Sequence, residues 1–109
     1  MICNTCIVSS DCKSGPREIL APETDFKLQI KKPEITLYGV LLPVFDGKLK
    51  RADEPLTKEE KIWIETLVEL LKKDNQCGKF KLNMLKRIDE FSIENVVKQW
   101  EKYYIILNK

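Results

Sequence analysis

Cys3 and Cys6 stand two residues apart, Cys12 follows after five more, and Cys77 completes the set of 4 cysteines in a chain that has no histidine. A Cys-x-x-Cys pair can hold two thiolates on one ion, and four thiolates without imidazole suit structural zinc or an iron–sulfur cluster. Cys3, Cys6, Cys12 and Cys77 are therefore the candidate metal ligands. The same four residues also allow three disulfide pairings, of which one from the N-terminal arm to Cys77 would staple loop to helix end. Free thiols are the third reading, and the three stay open. Redox use of Cys3-x-x-Cys6 would need a helix start to depress a thiol pKa, and nothing after Cys6 reads as helical.

The second group with chemical potential is basic. Between positions 72 and 87 stand Lys72, Lys73, Lys79, Lys81, Lys86 and Arg87, against Asp74 alone, and the stretch before it carries an acidic excess. That asymmetry says more than the net charge of +2 over 109 residues. A run of cations at this density suits phosphate contacts.

Other chemistries are missing from the string. Without histidine, Ser-His-Asp and Cys-His catalysis and histidine pH switching fall away. There is no Gly-rich phosphate loop, no G-x-S-x-G and no Rossmann fingerprint. The carboxylate pairs Asp53-Glu54, Glu59-Glu60 and Asp89-Glu90 sit at helix starts and turns, where capping and solvation explain them. A core this small leaves little room for a substrate cavity. The expectation is a protein that is not an enzyme. No apolar run reaches the roughly 18 residues a bilayer span needs, so no membrane association is expected. The start Met1-Ile2-Cys3 lacks a basic and apolar leader, so a cytoplasmic location is expected.

The elements that would position these residues fall into one α+β domain over residues 1–109. Residues 1–25 read as a loop-rich, Cys-bearing arm. Residues 26–51 read as a small β-meander. Phe26, Leu28 and Ile30 alternate, Ile35–Phe45 is apolar enough to be buried on both faces, and Asp46-Gly47 favours a hairpin returning through Arg51. Gly39 and Pro43 point to a bulge or edge position. Residues 56–109 read as three helices. Thr57 and Glu60 form a capping box for the first, which runs from about Lys58 to Lys73 with Ile64, Leu67, Val68 and Leu71 facing inward and stops before Gly78. The second is short, near Asn83–Asp89. Ser92 caps the third, whose buried face would be Ile93, Val97, Trp100 and Tyr104. Tyr104–Leu107 ends the chain as a short strand or as the last helical turn.

The segment from Met84 to Trp100 resembles the helix-turn-helix of winged-helix DNA-binding proteins. Phe91 occupies the turn, Ser92 caps the recognition helix, and Ile93 and Val96–Val97 anchor it. The resemblance covers roughly residues 56–107 and implies a tri-helical DNA-binding core. It places Asn95, Lys98, Gln99 and Lys102 outward as base-reading residues and assigns the six basic residues of 72–87 to phosphates. The expected function is transcription regulation by a small nucleic-acid-binding protein, DNA ahead of RNA, with a homodimer considered. The alternative is a non-enzymatic interaction module or small subunit of a larger complex. The cofactor expectation is none, or one structural metal or iron–sulfur cluster.

Overall fold

A computed structural model of the protein describes residue 1 and residues 5–72 and 74–108. It is α+β. The elements are β1 (Val8–Ser10), α1 (Pro16–Leu20), β2 (Glu34–Ile35), β3 (Val40–Leu42), α2 (Lys58–Lys72), α3 (Asp74–Glu90) and α4 (Ile93–Leu107). The sheet has the order β1-β3-β2, with β1 parallel to β3 in the register Val8↔Val40 and β2 antiparallel to it.

The apolar run at 35–45 places the central strand. Successive strand residues point to opposite faces, and both faces of β3 are covered. Val40 and Leu42 pack with Phe80 and Met84 of α3, backed by Ile62, Trp63 and Leu70 of α2. Leu41 packs on the other side with Leu20 and Ala21. Gly39 lets β1 approach: a Cβ there would stand 2.7 Å from the Ile7 carbonyl oxygen, the atom that accepts from the Val40 amide.

Several elements differ from the sequence reading. The arm holds a strand and a helix, because Val8 finds a parallel partner and Gly15-Pro16 opens α1. Phe26–Ile30 forms no strand, and Asp46-Gly47 makes a local turn, with Lys48 N–H donating to Asp46 Oδ1, rather than a hairpin. Gly78 lies inside α3, which spans 17 residues instead of one short segment. Tyr104–Leu107 finishes α4, so of the two readings for the chain's end the helical turn holds and the short strand does not. Ser92 does cap α4, accepting from the Asn95 amide at 3.2 Å. Thr57 Oγ1 likewise accepts from the Glu60 amide, while the Glu60 carboxylate pairs with Lys50 instead of reaching back.

The two predicted helix stripes are the largest departure. On α2 it is Ile62, Trp63 and Leu70 that meet the core, while Ile64, Leu67, Val68 and Leu71 are exposed. On α4, Ile93, Val97, Trp100 and Tyr104 are all exposed, Trp100 to 72%. Neither Leu67 nor Trp100 is a core residue in this chain.

Candidate functional site

The chemistry that the fold assembles most tightly lies where β1 runs into α1. Asp11 follows β1 and extends its pairing, its amide donating to the Leu42 carbonyl at 2.8 Å. Gly15 then turns the chain at φ 101°, in the left-handed region that side chains with a Cβ rarely enter. Pro16 fits the first helical position, where its missing N–H costs nothing. The next residue, Arg17, is turned into the interior.

Arg17 and Asp11 are buried, at 2% and 1% exposure. The guanidinium meets the Asp11 carboxylate in a two-pronged contact, Nε to Oδ1 at 3.1 Å and Nη2 to Oδ2 at 2.9 Å. Nη2 also donates to Glu34 Oε2 at 2.6 Å on β2, and Nη1 to Thr24 Oγ1 at 2.9 Å. Asp11 Oδ2 accepts a further bond from the Ile30 amide at 3.2 Å. The hydrogen bonds that Arg17 donates to Asp11 push its pKa further above its already high value, against the opposing effect of desolvation and with help from Glu34. Buried side-chain nitrogens and oxygens all have partners among the described residues. A buried pair this fully bonded fixes geometry: it ties the β1–α1 loop to β2 and to the Thr24 turn. The loop itself, Cys12-Lys13-Ser14, is exposed at the carboxyl end of a parallel strand.

Arg87 anchors the other end of α1. Its Nε donates to the Ile19 carbonyl at 3.0 Å and its Nη2 to the Glu18 carbonyl at 2.8 Å. It also pairs with Glu90 and lies over the rings of Tyr38 and Phe91, 5.5 and 4.6 Å from their centroids. A cation at the last carbonyls of a helix is favourable. It is engaged within the fold rather than held out to phosphate.

The remaining sequence candidates scatter. Lys72, Lys79, Lys81 and Lys86 are exposed on α2 and α3, and Lys73 lies outside the described residues. Lys98, Gln99 and Lys102 are exposed on α4, but Asn95 Nδ2 donates to the Asp89 carbonyl at 2.6 Å and serves the α3–α4 turn. Among the cysteines, Cys3 and the side chain of Cys77 lie outside the described residues. Cys6 and Cys12 do not bridge each other, and the Cys12 thiol sits 3.7 Å from the Ser14 carbonyl. Among the described residues, no three thiol or carboxylate groups come together to hold a metal ion. Nor is any helix there long and apolar enough to cross a membrane.

Sequence reasoning missed Asp11, Arg17 and Glu34. The signal was present in Ile7-Val8 as a short apolar, β-branched run followed by Ser-Gly-Pro, which reads strand, turn, helix start.

Comparison with known proteins redirects the functional reading. The chain is 35% identical over 101 residues to a protein of Methanocaldococcus jannaschii named as an uncharacterized glycosyltransferase. The match takes in 90% of this chain and 25% of that protein, so the chain spans about a quarter of its relative's length. No family model and no solved structure matches. The match overturns the expectation of a DNA-binding transcription regulator, together with its non-enzymatic alternative. The expectation that the protein is not an enzyme is corrected on the same ground. Missing histidine, missing nucleotide and nucleophile motifs and a small core had carried that expectation, and none of them excludes sugar-transfer chemistry supplied outside this segment.

Proposed function

We propose that this chain is a segment of a glycosyltransferase, an enzyme that moves a sugar from an activated donor to an acceptor. The observation that carries the reading is the 35% identity to the named glycosyltransferase over nine-tenths of the chain. The geometry supports a ligand-facing role for the β1–α1 loop. In sheets with parallel strands, ligands bind beyond the carboxyl ends of the strands, and here that position is held by Lys13 and Ser14, both exposed. An ammonium and a hydroxyl suit the phosphorylated leaving group of an activated sugar. Arg17, Asp11 and Glu34 hold the loop in place without meeting the donor themselves.

The test is a graft. The chain replaces the matching quarter of the Methanocaldococcus protein, and release of nucleoside diphosphate from a panel of nucleotide sugars is measured. The expected result is donor turnover by the graft, weakened by Lys13→Ala through a higher KM. A folded graft that turns over no donor on which the parent protein acts would refute the reading.

A further inference from the structure

Two helices of this fold carry apolar stripes left largely exposed among the described residues. On α4 the stripe is Ile93, Val97, Trp100, Tyr104 and Leu107, spaced at i, i+4, i+7, i+11 and i+14, and every one of these residues is exposed. That spacing is the signature of a helix packed along one side. On α2 the exposed set Ile64, Leu67, Val68 and Leu71 repeats the pattern. The molecule as a whole is open. Its accessible surface is 8837 Å², against about 6200 Å² expected for a compact monomer of 12.7 kDa. Its radius of gyration is 17.5 Å, against about 13 Å for a compact domain of this length. Parallel strand β1 also ends the sheet with one edge unpaired among the described residues, where such strands are ordinarily flanked.

We propose that the stripes of α4 and α2 are docking faces for a second protein body of the glycosyltransferase, the counterpart of the three-quarters of the relative that this chain does not span. The identity of that body rests on the sugar-transfer reading; the existence of the surface does not. The length of the relative selects the occupant. The excess of about 2600 Å² belongs to the whole molecule, the exposed segment 44–56 included, and exceeds the about 800 Å² that one partner contributes to a standard interface; an obligate dimer of copies can bury a comparable area and is therefore an outcome of the test below. A body some three times the size of the chain, as the relative's remaining length supplies, can cover both stripes. Charge argues against a lipid surface. Between the stripe residues α4 carries Glu94, Lys98, Glu101 and Lys102, an evenly balanced set, whereas membrane-surface helices are rich in Lys and Arg on the polar face.

The experiment compares hydrogen exchange at residues 93–107 in the free chain and in the graft described above. Docking predicts exchange at least tenfold slower in the graft, and predicts that Trp100→Glu with Tyr104→Glu abolishes the slowing. Equal rates in the two would overturn the proposal. The free chain provides a second decision. Sedimentation across a concentration range should show no dimer that slows exchange at 93–107 to the graft's extent; such a dimer would make the occupant a second copy. The double variant should leave the free chain's unfolding midpoint unchanged, and its unfolding would mean that the stripe is internal core. A graft with slowed exchange but no donor turnover would sink the sugar-transfer reading and leave the surface standing. Turnover with unchanged exchange would sink the surface alone.

Discussion

Replacing Arg17 by Met tests whether the buried ion network organises the β1–α1 segment. Methionine keeps most of the side-chain volume and removes the charge and every donor. Three partners then lose their bonds at once: both oxygens of the Asp11 carboxylate, Glu34 Oε2 and Thr24 Oγ1. Glu34 is partly exposed and can turn to water, its side chain being 32% accessible. Asp11, at 1%, cannot, and keeps only the Ile30 amide at 3.2 Å. Removing one partner of a buried pair costs about 3–5 kcal/mol, because the other charge is left uncompensated. That is a large share of the 5–15 kcal/mol that holds a domain together. Arg17→Lys should cost less, about 1–3 kcal/mol, since it keeps a cation but loses the planar fork that meets both Asp11 oxygens. Urea unfolding followed by circular dichroism at pH 7 measures both losses. An unchanged midpoint for Arg17→Met at pH 7 would refute the argument that this network ties the loop to the sheet.

Three further substitutions probe how the elements are joined. Gly39→Ala should destabilise by about 1–3 kcal/mol, because its Cβ would press on the Ile7 carbonyl at 2.7 Å and neither backbone can move without breaking the β1–β3 pairing; thermal unfolding reads the loss. Arg87→Ala should cost about 2–4 kcal/mol, from two charge-assisted bonds to the α1 carbonyls and the contacts over Tyr38 and Phe91. Hydrogen exchange should then accelerate in α1 more than in α4, and the reverse order would mean that Arg87 does not hold α1. Ser92→Ala should cost about 1 kcal/mol, since its hydroxyl accepts from the Asn95 amide at the start of α4. Ser92→Gly should recover most of that, as judged by the denaturant midpoint.

What the sequence made legible follows from how local each signal is. Ser92 and Thr57 were readable as caps because the partner amide lies three residues along the same chain. β3 was readable as buried on both faces because Val40–Leu42 is apolar with no alternation to leave one face wet, but the expected buried run of 35–45 shortens to these three residues, with Ile35, Leu37, Val44 and Phe45 exposed. The site was harder. Asp11, Arg17 and Glu34 come from a loop, a helix and a strand up to 23 residues apart, and a single string does not display which distant charges will share a dry pocket. Strand β1 was missed for a related reason: three residues carry almost no periodicity, and a parallel partner 32 positions away is what makes them a strand. The stripes of α2 and α4 failed in the opposite direction. Their spacing was read as that of buried helices, but the residues on it are exposed among the described residues. An amphipathic pattern marks one apolar face; it does not state what, if anything, covers it. The basic segment illustrates a related failure. Arg87 had been assigned to phosphate by its neighbours' charge, yet its guanidinium caps a helix inside the fold, because a planar cation with five donors satisfies backbone carbonyls as readily as it satisfies phosphates.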